Sequence, residues 1–334
     1  MEGERMFSLE RKEERNPLLE GPELISPEEL EKELKEKLEK GEIGFSFPLE
    51  TRCYWLGYKE GKPFFVIEYF DSLPEELEER EKEKFTKEIR KFGEAEKVVY
   101  VLKYGEAPKL EERVQESLSE KYRIAPARNF EREKIRPLPQ EIEISQLTEF
   151  LKDKRVLFYT GAGISMAGGV PSFNQLQEKL GIEMSQKIDG FLKKAITNPE
   201  ELMKIWEDFI KATFENPPTP AHCSLAKLAQ KLNAQIFTEN IDYLQERAGV
   251  KAIHISGPWL RENIKPEWLK EIDGVITIGL SYDDRGFLGW YKENNPNGKI
   301  IAIDLEQPSY LGNEDFMLAG DCQEILPELE EKFA

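Results

Sequence analysis

The sequence predicts an α/β fold in which a doubly wound parallel sheet fills the C-terminal half, preceded by a smaller N-terminal α+β domain. Three observations carry this. The 334 residues exceed what one typical core serves, roughly 100 to 200 residues, and suit two. Beyond about Glu141, short apolar runs alternate with amphipathic helical segments, the pattern of a parallel sheet covered on both faces. One of those runs, Val156–Tyr159, leads directly into the glycine turn Gly161-Ala162-Gly163, the opening of a Rossmann-like unit.

The N-terminal domain is assigned to residues 1–135. Residues 1–24 are polar, carry Pro17 and Pro22, and read as a loose arm. Ser26-Pro27-Glu28-Glu29 places a capping hydroxyl, a proline and a glutamate at the spacing of a capping box, and Leu30, Leu34 and Leu38 mark the inward face of the helix it opens. Gly41 ends that helix. Residues 44–47, 53–56 and 63–67 are aromatic or β-branched runs between turn residues, as in an antiparallel meander, with Tyr54, Trp55 and Phe64 as core. The apolar spacing of Leu77, Phe85, Ile89 and Phe92 predicts a second helix over 74–92, followed by a strand over 98–102 and a third helix over 110–122. Residues 132–140, with Pro137 and Pro139, form the linker.

The C-terminal domain, 141–334, is drawn with strands over 156–159, 235–238, 252–255, 274–278, 300–304 and 316–319. Helices are expected over 145–152, 199–213, 221–231 and 322–333.

A buried strand running into a glycine turn brings backbone N–H groups to a diphosphate. Here the dehydrogenase fingerprint is incomplete, because Met166 stands where its third glycine belongs and the second strand ends at Thr238-Glu239. A resemblance to the sirtuin family accounts for more residues. Gly161-Ala162-Gly163-Ile164-Ser165 is similar to that family's first signature, and Gly169-Val170-Pro171-Ser172-Phe173-Asn174 to the cofactor loop after it. Pro218-Thr219-Pro220-Ala221-His222, Thr238-Glu239-Asn240-Ile241-Asp242 and Ala248-Gly249 follow in the family's order, then Ile278-Gly279-Leu280-Ser281, Ile301-Ala302-Ile303-Asp304 and Gly320-Asp321-Cys322.

The resemblance implies NAD as cofactor. It assigns Gly161, Ala162, Gly163, Ser165, Phe173, Thr238, Asn240, Asp242, Gly279, Ser281, Asp304 and Cys322 to its binding, Asn240 to the ribose and a water, and Asp242 to the nicotinamide carboxamide. Three departures qualify it. No cysteine lies between Pro258 and Ile278, so the family's four-cysteine zinc module is missing and no metal is expected. Ser172 and Asn174 replace the family's Asp and Arg, and the loop 171–176 is similar to that of divergent NAD-hydrolysing sirtuin-like domains. Ser256 stands before Gly257 where the family has its general-base histidine, and His254, two residues earlier, would sit about 6 to 7 Å deeper on the same strand face. A half-buried histidine bonded to a carbonyl or carboxylate is the plainer reading of His254.

Glycosidic cleavage of NAD does not strictly require that base. The expected catalytic set is therefore Asn240, Asp242, Glu239 and His254, with the Glu239 carboxylate stabilising the developing cation or activating water. A site that only binds NAD or ADP-ribose, as a sensor or scaffold, is the alternative, and protein deacylation a third. Lys+Arg 47 against Asp+Glu 65 gives a net charge of −18, which disfavours nucleic acid and anionic membranes. No apolar stretch reaches the length of a membrane span, so a cytoplasmic location is expected. Cys53, Cys223 and Cys322 lie too far apart in sequence for a C-x-x-C pair. The Glu/Lys-rich charge resembles thermophile composition. A protein partner for the N-terminal domain stays open.

Overall fold

A computed structural model describes residues 16–48, 51–92, 94–106, 124–128, 138–183 and 187–333. Helix α1 (Pro27–Lys40) is closed at its start by the expected capping box between Ser26 and Glu29, and ends at Gly41 in the left-handed conformation that only glycine adopts freely. Strands β1 (Ile43–Pro48), β2 (Arg52–Lys59) and β3 (Lys62–Tyr69) form the expected meander and bury Tyr54, Trp55 and Phe64.

The helix expected over 74–92 does not form. That stretch instead holds one helical turn, α2 (Glu79–Lys82), and the strand β4 (Thr86–Phe92), which pairs antiparallel with β5 (Ala95–Tyr104). The spatial order is β1-β2-β3-β5-β4, so β4 is an edge strand and Ile89 is exposed. Tertiary contacts override the apolar spacing: Phe85 meets Tyr69 edge-on at 5.8 Å, and Arg90 reaches inward to the fully buried Glu68. The helix expected over 110–122 and most of the linker 132–140 lie outside the described residues.

In the C-terminal half come β6 (Gln140–Glu141), α3 (Ile144–Asp153), β7 (Val156–Thr160), α4 (Gly163–Met166), α5 (Phe173–Lys179), α6 (Lys187–Thr197), α7 (Pro199–Glu215) and α8 (Pro220–Leu232). They are followed by β8 (Ile236–Thr238), α9 (Leu244–Arg247), β9 (Ile253–His254), α10 (Gly257–Asn263), β10 (Gly274–Ile278), α11 (Phe287–Asn294), β11 (Lys299–Asp304), β12 (Phe316–Ala319) and α12 (Cys322–Lys332). All six expected strands are present, joined by β6 at one edge. Helices α5, α6, α10 and α11 and the single turns α4 and α9 were not foreseen.

The seven strands pair in parallel in the order β6-β12-β11-β10-β7-β8-β9. Every residue of β7 and of β10 is buried, which is why both read as unbroken apolar runs. The chain leaves β7 toward β8 and β9 on one side and returns through β10 on the other. This reversal makes the carboxyl ends of β7 and β10 the switch point, where ligands of such sheets lie.

The apolar core does not follow the boundary drawn at 135–141. One face of the N-terminal sheet, with Tyr54, Phe65 and Ile67, packs against Phe191, Leu202, Trp206 and Phe209 of α6 and α7 in a single cluster. Trp206 Nε1 donates to the Gly57 carbonyl at 2.8 Å, and Arg52 pairs with Asp189 at 2.5 Å. The described end of the N-terminal arm is likewise bound. Leu18 is buried in the core under β10 and β11, Gln235 donates to the Gly21 carbonyl at 3.1 Å, and Leu24 bridges Val250.

Candidate functional site

Two glycine turns meet at the switch point. Gly161 N–H donates to the Ile278 carbonyl at 3.0 Å and Gly163 N–H to the Gly279 carbonyl at 2.9 Å. A Cβ on Gly163 would lie 2.6 Å from Gly279 Cα, and one on Gly279, whose φ is +56°, 2.5 Å from Ile164 N. These glycines are therefore required first by the contact between the two turns. Ala162, half-exposed beside them, keeps a backbone N–H with no partner among the described residues.

Next to this turn a buried polar set closes on itself. Ser165 Oγ donates to Asp242 Oδ2 at 2.5 Å and accepts from Asn240 Nδ2 at 3.3 Å. His222 lies 3.3 Å from the same hydroxyl through Nε2. The Thr219 N–H donates into His222 Nδ1 at 3.2 Å, so the proton of the neutral ring sits on Nε2 and points at Ser165. Burial pushes His222 down to about 3, which keeps the ring neutral. Asp242 also accepts from Leu244 N–H at 3.1 Å, and burial raises its carboxyl above the ordinary aspartate value against both hydrogen bonds. Asn240 Nδ2 donates to the Gly161 carbonyl at 3.0 Å, which ties the end of β8 to the glycine turn, and both side-chain bonds of Asn240 among the described residues run through Nδ2 rather than Oδ1. Behind them Thr160 and Thr238 share a hydroxyl bond of 2.8 Å, and Gln245 donates to Thr160 at 2.9 Å.

Glu239 does not join this set. Neighbouring residues of a strand point to opposite faces; Thr238 pairs with Thr160 and Phe237 with Tyr159, so Glu239, next after Thr238, turns to the face of Tyr159. Its carboxyl accepts the Tyr159 hydroxyl and lies 4.0 Å from Arg285 Nε. Burial, reinforced by Asp284 and Asp283, pushes Glu239 up to about 8, while the Tyr159 bond pulls the other way; burial brings Arg285 down to about 10. The expected carboxylate beside Asn240 is thus a largely protonated acid on the other face of the sheet at neutral pH.

His254 stands as its plainer reading expects: Nδ1 is 2.8 Å from the Asn240 carbonyl and Nε2 3.0 Å from Glu246 Oε1. Both nitrogens are engaged, so neither is free to take a substrate proton. Ser256 accepts from Trp259 N–H at 3.2 Å and caps α10. Ser281 is exposed at the end of β10. Asp304, half-buried at the end of β11, holds the Leu305 N–H at 2.8 Å with Oδ1. Cys322, at the start of α12, is buried and pushed up to about 12. Phe173 opens α5, and its side chain lies outside the described set. A groove of about 520 Å³ between α1 and Phe214 is lined by Leu30, Leu34 and Leu38 together with Glu246, Arg247 and Gly249, and by neither the glycine turn nor Asn240 and Asp242.

The profile of the "Sir2 family" matches residues 161–258, the span from the first glycine turn through Asn240, Asp242 and Ser256. An NAD-dependent protein deacylase of Pyrococcus furiosus is 30% identical over 249 residues, covering 57% of this chain and 96% of that protein. The chain belongs to the Sir2 family. A second member, the NAD-dependent protein deacylase of Pasteurella multocida, is 35% identical over 146 residues, covering 41% of this chain and 56% of the relative's length. A crystal structure of a Sir2 homolog in complex with NAD superposes with a TM-score of 0.47 at 18% identity, over 59% of this chain and 96% of that one. Within this Sir2-family chain, the Asn240–Asp242 segment and the glycine turn are brought together, whereas Glu239 and His254 serve other contacts. Sequence reasoning missed Tyr159, Thr160, Gln245 and Arg285. Gln245, three residues beyond Asp242, could have been found from its place just after the motif; Arg285 carried no local signal.

Among the described residues no helix is long and apolar enough to cross a membrane, and no three His, Cys, Asp or Glu side chains are placed to hold a metal ion.

Proposed function

We propose that this chain binds NAD at the β7/β10 switch point and cleaves the bond between nicotinamide and ribose, with water as the acceptor. The observation that carries this reading is the closed set Asn240–Ser165–Asp242–His222 beside the glycine turn. NAD when bound supplies an anionic diphosphate and a glycosidic bond that breaks with oxocarbenium character.

The Ala162 N–H meets the diphosphate, and the Asp242 carboxyl, held by Ser165 and Leu244, grips the carboxamide. Asn240 Oδ1 accepts a hydrogen bond from the attacking water. The water oxygen bonds to the ribose carbon as nicotinamide leaves with the electron pair of the broken bond, and the water proton passes to solvent. His254 and Ser256, both spent on protein contacts, take no part as bases, which sets this chain apart from deacylation by a free histidine. Those same three contacts favour a second reading, in which NAD or ADP-ribose is bound and not turned over.

Nicotinamide release from NAD by the full chain separates the readings. Turnover is expected, falling at least tenfold in Asp242→Asn, about 1.4 kcal/mol in barrier. ADP-ribose binding without release supports the second reading, and release that depends on an acetyl-lysine peptide overturns both in favour of deacylation.

A further inference from the structure

Helix α1 reaches the segment that carries Asn240 and Asp242. Tyr243, the next residue, has φ +52° and ψ +25°, a left-handed conformation that a bulky aromatic rarely adopts. A glycine or asparagine would sit there without strain, so the side chain must earn the position. Its ring is buried, and Lys37 of α1 donates to its hydroxyl at 3.2 Å while lying 4.7 Å from the ring centroid. On its other side Tyr243 lies 4.8 Å from the His254 ring, and His254 Nδ1 is bonded to the Asn240 carbonyl.

Helix α1 is itself fixed to this region from its other end. Ile25 N–H donates to the Gly249 carbonyl at 3.2 Å and Lys251 N–H to the Glu23 carbonyl at 2.7 Å. Lys251 Nζ bridges Glu23 and Glu33, each at 3.0 Å. The N-terminal part thus holds one strained aromatic whose contacts bracket Asn240 and Asp242.

We propose that Lys37 and Tyr243 are positioning residues through which α1 sets the backbone of Asn240–Asp242 for nucleotide binding, an inference that rests on the NAD-binding reading above. The side chains act at a distance from the nucleotide, by fixing the turn after Asp242 and the ring that grips Asn240. N-terminal and C-terminal parts then form one binding unit.

Calorimetric titration of the full chain with ADP-ribose tests this, with thermal unfolding followed in parallel. Lys37→Met and Tyr243→Gly are expected to weaken binding about tenfold, whereas Lys37→Arg keeps it within about threefold of wild type. Tyr243→Phe combined with Lys37→Met should weaken binding no further than Lys37→Met alone, since both remove one contact. A merely structural role would lower the unfolding temperature and leave the dissociation constant unchanged, and that result overturns the inference while the NAD reading stands. If Tyr243→Gly fails to fold, the half-exposed Lys37 and the ring-preserving Tyr243→Phe decide it. Wild-type protein that binds neither ADP-ribose nor NAD overturns the NAD reading and this inference together.

Discussion

Glu239 shows how one carboxyl changes meaning between sequence and structure. Beside Asn240 in the chain, it reads as a charge for the active centre; across the sheet, against Tyr159, it is a buried acid pushed up to about 8. The consequence is a pH dependence of stability. In the unfolded chain Glu239 releases its proton near the ordinary glutamate value of about 4.3, whereas the folded chain retains it until about 8. The stabilising contribution is thus complete below about pH 4.3 and is lost as pH rises through 8, because between these values the native state binds more protons. Urea unfolding between pH 5 and 8 should show wild type losing up to about 1.4 kcal/mol per pH unit relative to Glu239→Gln. Equal slopes for the two proteins would contradict the buried acid. His222 needs no such test of charge, since its downward shift to about 3 keeps it neutral throughout this range.

At the scale of elements, the glycine turns were legible because their signal is local. A strand of buried residues followed by Gly-x-Gly admits few alternatives, and the sheet places those glycines where its winding reverses. The sequence could not show that Gly279 crosses the first turn at contact distance, a relation between residues more than a hundred positions apart. Gly279→Ala should cost roughly 2 kcal/mol or more in denaturant unfolding, from positive φ and a Cβ 2.5 Å from Ile164 N. A loss below about 0.5 kcal/mol would mean that the turns are not interlocked. The stretch from 74 to 92 failed for the opposite reason. Its apolar residues repeat at helical spacing, but Arg90 finds Glu68 from the strand extended against β5, and Phe85 meets Tyr69 from the bend just before that strand. Local period loses to such contacts at the edge of a sheet.

At the scale of the molecule, the change in composition near residue 140 marked a boundary that the core ignores. Tyr54, Phe65 and Ile67 share a cluster with Trp206 and Phe209, while Leu18 lies under the parallel sheet. None of these contacts has a sequence signature, because each side reads only as an ordinary apolar face. The site inherits that arrangement: the glycine turn and the Asn240–Asp242 segment come from the parallel sheet, and α1 supports the latter from outside it. Amide hydrogen exchange of the full chain with and without NAD tests the account most directly. It should give new protection confined to residues 161–165, 238–244 and 279–281, the two turns and the segment bonded to them. Protection absent from all three, or gathered instead at the groove between α1 and Phe214, would contradict it.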